Sequence, residues 1–208
     1  MATRNLTLAL LVFVLTACGG GGSELAPAPS PTAPPPAPTL VVAYGDSTQE
    51  AQGKPHGAQR PGFVIENKGI GGSNTTDLLV GWSAEMAAQP AKIVVINHGM
   101  NDRRAGDTVE KYRENLRRLV EVAQAAGKVV ILEEPNRVGE VETPVMASVN
   151  FDVPFFEERR AAMKLMASHL GVYFCEQPRV PLLDGIHPNA EGLALKANRL
   201  ALCIADVL

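Results

Sequence analysis

Four short polar clusters carry the side chains best able to do chemistry. They are Gly45-Asp46-Ser47, Asn67-Lys68-Gly69-Ile70-Gly71-Gly72-Ser73, His98-Gly99-Met100-Asn101-Asp102 and Asp184-Gly185-Ile186-His187-Pro188-Asn189. A serine hydroxyl is a poor nucleophile until a base takes its proton, and His187 can serve Ser47 in that way. The base in turn needs a carboxylate that holds its ring in one tautomer and stabilises the imidazolium. Asp184, three residues before His187, lets one loop supply both groups; Asp102 competes for the role, and the spacing favours Asp184. The glycine-rich cluster is a bend whose backbone N–H groups can face a ligand without side-chain hindrance. Each cluster alone has a plain structural explanation, as a turn or a helix cap. All four in one order point to acyl transfer.

Rival chemistries find less support. A nucleophile elbow of the Gly-x-Ser-x-Gly type needs glycine where Gln49 stands. His56, His98, His169 and His187 show no metal-ligand pairing and no Cys-x-x-Cys occurs, so neither a metal nor a cofactor is expected. His98 reads as a structural neighbour of Asn101.

The elements that must position these clusters alternate between strand and helix. Residues 39–44, 63–66, 92–97, 129–132 and 172–174 are short apolar runs expected to be strands. Residues 75–88 have helical spacing, with Leu78, Leu79, Trp82 and Met86 on a similar face. A further helix should start from an Asp107 or Thr108 cap and stop near Gly127; others should end at Gly171 and cover residues 190–208. Strongly apolar strands separated by helices predict an α/β fold, a three-layer α/β/α sandwich around a mostly parallel sheet. Ligands bind such sheets beyond the carboxyl ends of the strands. The first three clusters follow predicted strands, and the fourth precedes the last helix.

With these blocks in place, the sequence resembles the SGNH (GDSL) hydrolase family from about Leu40 to the C-terminus. Ser47 matches its first block, Gly72 its second, Asn101 its third, and Asp184 with His187 its last. The resemblance implies a flavodoxin-like sandwich and an ester hydrolase with Ser47, His187 and Asp184 as catalytic residues. It also implies an oxyanion hole made of the Ser47 N–H, the Gly72 N–H and the Asn101 side chain.

The first forty residues read differently. Arg4 precedes an apolar run over residues 6–14, too short to span a bilayer and of signal-peptide length. The run ends in Leu15-Thr16-Ala17-Cys18, which resembles a bacterial lipobox. Residues 1–17 are therefore expected to be a signal peptide, with Cys18 lipidated; an ordinary secretory signal cut near Ala17 is the alternative. Residues 18–38, rich in Gly, Pro and Ala, cannot bury a core and should form a tether reaching on the order of 60 Å. The folded domain is then 39–208. These expectations place the protein in the cell envelope, anchored to a membrane through lipid.

Composition bounds the rest. With 46% apolar and 20% charged residues the chain is that of a globular protein, and its net charge of -3 gives no reason to expect nucleic-acid binding. Nothing in the sequence sets an oligomeric state. Cys175 and Cys203 remain as an even pair: one disulfide or two separate buried thiols both satisfy the sequence.

Two segments look irregular. Residues 48–61 hold two glycines and two prolines and do not read as a full helix, which suggests an open or damaged wall beside Ser47. Residues 133–153 form a long connection that includes Pro135-Asn136-Arg137 and should border the site. The expected function is a serine ester hydrolase acting on O-acetylated carbohydrate or on small acyl or lysophospholipid esters. Thr48 after the nucleophile weakly resembles the carbohydrate acetylesterase branch of the family. The competing reading is a non-catalytic envelope lipoprotein of the same fold that binds a glycan or an assembly partner. It rests only on the irregular segment after Ser47.

Overall fold

The apolar runs become strands of one sheet: β1 (Thr39–Gly45), β2 (Phe63–Gly69), β3 (Ile93–Asn97), β4 (Val129–Glu133) and β5 (Tyr173–Cys175). In this computed structural model every neighbouring pair is parallel, in the order β2-β1-β3-β4-β5. The structure describes residues 36–56, 62–103 and 107–208. The expected signal peptide, Cys18 and nearly all of the tether lie outside the described residues.

Side chains alternate between two buried faces, as the two-residue period of a strand requires. Val42, Tyr44, Val94, Ile96, Val130 and Leu132 face one core. That core is closed by α2 (Thr75–Gly81), α3 (Ser83–Ala88), α4 (Val109–Ala125) and α6 (Val153–Leu170). Val41, Ala43, Ile93, Val95 and Ile131 face the other, against Leu200, Ala201, Cys203 and Ile204 of α7 (Ala190–Ala205). Helices on both faces of a parallel sheet make the expected three-layer α/β/α sandwich.

Helix limits follow from caps. Thr108, not Asp107, caps α4 through its Oγ1 and the Lys111 N–H, leaving the Asp107 carboxylate to pair with Lys111 Nζ at 2.9 Å. Asp152 opens α6 and Gly171, at φ 63°, closes it. The expected single helix over 75–88 is broken at Trp82, whose φ of -131° interrupts the turn between Gly81 and Ser83. Both flanking residues are weaker helix formers than alanine or leucine.

The main correction concerns the segment after Ser47. Residues 47–56 form α1 (Ser47–His56), a ten-residue helix, where the sequence did not read as a full helix; residues 57–61 lie outside the described residues. Among the side chains described in it, the buried ones are Thr48, Gln49 and Gln52, all polar, so no apolar stripe announces it. Gln52 Nε2 reaches Glu133 Oε1 at 3.4 Å instead. The wall beside Ser47 is therefore built, and the ground for the non-catalytic reading goes with the gap.

Candidate active site

Ser47 is the first residue of α1, directly beyond the carboxyl end of β1. The turn depends on Gly45: a Cβ there would lie 2.3 Å from Gln49 Cβ and 2.9 Å from the Asn97 carbonyl oxygen. Asp46 is fully buried and its Oδ1 accepts the Thr48 N–H at 3.0 Å, capping the helix. Burial pushes its carboxyl up to about 6, against the hydrogen bond from Thr48 and the Lys196 charge, which pull it down. Ser47 thus rests at the positive end of a helix dipole, where negative charge is favoured.

The loops after β2 and β3 meet beside it. Ser73 Oγ lies 2.8 Å from the Ile70 carbonyl oxygen, to which it donates, and 3.0 Å from His98 Nε2. Burial lowers the His98 pKa to about 3, so the ring is neutral; a proton on Nε2 lets it donate to Ser73 Oγ. His98 is buried and bound to Ser73, as a structural neighbour of the loop would be. Asn101 Nδ2 donates to the Ser73 carbonyl at 3.1 Å, which ties the third block to the end of the second. An amide nitrogen carries two hydrogens, so a second donor remains for a ligand. Gly72 sits one residue before Ser73, at φ 75°.

The fourth cluster forms a tight loop before α7. Asp184 Oδ1 accepts the backbone N–H groups of Ile186 and His187 at 3.0 and 2.7 Å. Its Oδ2 is 2.8 Å from His187 Nδ1. Gly185 makes the loop possible, with φ 87°. Burial alone pushes the Asp184 carboxyl up. Hydrogen bonds from the His187 backbone, the His187 ring and the Ile186 backbone outweigh it and hold the carboxyl below the usual aspartate range. Asp102, the competing acid, is elsewhere: it is buried and accepts the Thr75 N–H at 3.1 Å and the Thr75 hydroxyl.

Ser47, Asn101 and His187 line one cavity of about 70 Å³, together with Met100, Arg103, Val145, Val149, Phe151 and Ile186. Among the described residues no hydrogen bond joins Ser47 Oγ to His187, and such contacts often close only around substrate. A hydroxyl, an imidazole held by a carboxylate and an amide donor around one apolar-walled cavity are what acyl transfer requires.

Residues 24–195 match the family of GDSL-like Lipase/Acylhydrolase proteins. The chain belongs to that family. As a GDSL hydrolase it is a carboxylic ester hydrolase, and solved structures share its fold. A GDSL-like lipase from Bacteroides thetaiotaomicron is 21% identical with a TM-score of 0.68, covering 82% of this chain and 89% of its own. A carbohydrate acetylesterase from Sinorhizobium meliloti is 17% identical with a TM-score of 0.66, over 82% and 100%. A catalytic mutant of an acetylxylan esterase from Geobacillus stearothermophilus is 20% identical with a TM-score of 0.62, over 80% and 94%. No curated protein matches the sequence.

Sequence reasoning did not single out the apolar lining of this candidate site in the GDSL family member. Val145, Val149 and Phe151 come from the long connection between β4 and α6, which carries the short α5 (Pro144–Ser148). Its place at the site was expected, but its apolar side chains look like any core residue until the fold brings them to Ser47. Met100 and Ile186 lie inside two of the polar clusters, and a hydrophobic residue flanked by functional ones was the available signal.

Proposed function

We propose that the protein is an exported serine esterase that removes short acyl groups, acetyl above all, from hydroxylated substrates in the cell envelope. Ser47 attacks the ester carbonyl while His187 takes its proton and passes it to the departing alcohol; water, deprotonated by His187, then cleaves the acyl-enzyme to the acid and restores the Ser47 hydroxyl. Asp184 orients the imidazole. The Ser47 and Gly72 N–H groups and the Asn101 amide stabilise the oxyanion. The observation that carries the reading is the 2.8 Å Asp184–His187 contact on the rim of the cavity that also holds Ser47.

The substrate class rests on size. A cavity of only about 70 Å³, walled by Val145, Val149, Phe151 and Ile186, favours a short acyl group over a long chain. The names of two similar structures, a carbohydrate acetylesterase and an acetylxylan esterase, favour a sugar as the alcohol. Export is supported by the lipobox-like Leu15-Thr16-Ala17-Cys18 and by the Cys175–Cys203 disulfide, a bond that persists in oxidising compartments.

Hydrolysis of p-nitrophenyl esters from acetate to decanoate, by the protein and its Ser47→Ala variant, tests the reaction. Ser47-dependent turnover that peaks at acetate is expected; a peak at eight or ten carbons would remove the short-acyl assignment. For location, Cys18→Ser should shift the protein from the membrane fraction to the soluble one, and an unchanged distribution would refute the lipid anchor.

A further inference from the structure

The acid–base loop is held from outside by the β4–α6 connection, through three consecutive carbonyl groups. The Thr143 hydroxyl donates to the Asp184 carbonyl at 2.6 Å, and the Gly139 N–H to the Gly185 carbonyl at 2.7 Å. Asn136 Nδ2 donates to the Ile186 carbonyl at 2.9 Å. Among the described residues, one of the three donors also reaches the nucleophile's helix. Asn136 Oδ1 accepts the Thr48 hydroxyl at 3.3 Å.

We infer that Asn136 is a positioning residue for the reaction proposed above: it sets the distance between Ser47 and His187 by clasping their chain neighbours, Thr48 and Ile186. Its burial is complete, so each polar atom must find a protein partner. The amide spends its two hydrogens on the Ile186 and Arg137 carbonyls, at 2.9 and 3.2 Å, and its oxygen on Thr48. That demand fixes the residue type. The reversed amide would turn its oxygen toward two carbonyl oxygens, and an aspartate would face the same two with no donor at all. A serine or threonine hydroxyl has one proton for three partners.

Ser47 stands on a helix and His187 on a loop more than a hundred residues away, and no hydrogen bond joins their side chains among the described residues. Their alignment therefore depends on what holds their backbones. Misplacing reacting groups by about 1 Å can cost on the order of 100-fold in rate. A loss of alignment should appear in kcat, because the cavity wall that receives the acyl group is made by other residues.

The test is steady-state hydrolysis of p-nitrophenyl acetate by the full-length protein and by Asn136→Ala, Asn136→Asp, Thr48→Val, Thr48→Ser and the Asn136→Ala/Thr48→Val double variant. Melting temperature is measured alongside. Asn136→Ala and Asn136→Asp should each lower kcat by about 10- to 100-fold with KM within about twofold. Thr48→Val should lower kcat by a smaller factor that Thr48→Ser restores, and should add nothing once Asn136 is alanine.

A folded Asn136→Ala with wild-type kcat, or a loss confined to KM, would overturn the proposal. So would a Thr48→Val effect that multiplies independently with that of Asn136→Ala. Should the Asn136 variants fail to fold, Thr48→Val decides alone, since it cuts one end of the clasp and leaves Asn136 in place; unchanged kcat there also overturns it. Wild-type protein without Ser47-dependent turnover would instead remove the hydrolase reading, and the clasp with it.

Discussion

Two carboxylates compete in the sequence for the role of orienting His187, and the structure separates them by what each already holds. Asp102 is consumed by the start of α2, where Thr75 gives it a backbone and a hydroxyl proton. Asp184 binds two N–H groups through one oxygen and keeps the other for His187 Nδ1. The acid is also less exposed than the base, with 20% of the Asp184 side chain accessible against 41% for His187. This partition leaves Asp184 anionic while the imidazole stays open to substrate. Asp184→Asn should therefore lower kcat by on the order of 10,000-fold with little change in KM, because an amide can hold the wrong tautomer as readily as the right one. Steady-state kinetics on p-nitrophenyl acetate measures it. A loss below tenfold would mean that another group orients the ring.

Elements were legible where their own residues announce them. β1 and β3 are apolar runs ending at Gly45 and Asn97, and both deliver a functional block one to four residues later. The caps Thr108 and Asn189 and the stop at Gly171 are local chemistry, readable without the fold. Helix α1 was illegible for a physical reason. Its inward face is glutamine and threonine, and the groups that satisfy them, Glu133 and Asn136, are more than eighty residues away in sequence. Glu133 is a hub that no sequence window contains: it receives Gln52 from α1, Gln177 from the loop after β5 and the fully buried Lys196 of α7. The disulfide is a similar case. Spacing alone left Cys175 and Cys203 undecided, and the fold brings their Cα atoms to 5.8 Å, joining β5 to α7 across 28 residues. Closing a loop of that length stabilises a chain by about 3 to 4 kcal/mol in the entropic account. The helix it secures is the one next to the site: α7 is capped by Asn189, two residues beyond His187.

Taken over the whole molecule, the buried ionisable groups set how stability responds to pH. Burial raises Asp46 to about 6 and Asp102 to about 7, well above the 3.8 of a solvated aspartate. Each therefore binds its proton more tightly in the folded state than in the unfolded one. The stability this contributes is fully present below the unfolded value and is lost as pH rises through about 6 and about 7. His98 works the other way: burial lowers it to about 3, so the folded state resists protonation and loses stability as pH falls below 6.5. Between pH 6.5 and 8 the histidine exerts little pull and most of the Asp46 contribution is already lost, so Asp102 above all should make the melting temperature fall as pH rises. Asp102→Asn isolates the larger share, because an amide retains acceptors for Thr75 and cannot ionise. Over that range the variant should show a flatter decline than wild type, and its melting temperature should gain on the wild-type value with each step in pH. Calorimetry at half-unit intervals measures the two slopes. Parallel slopes would show that Asp102 titrates outside the window, with its charge already met by the Thr75 hydrogen bonds.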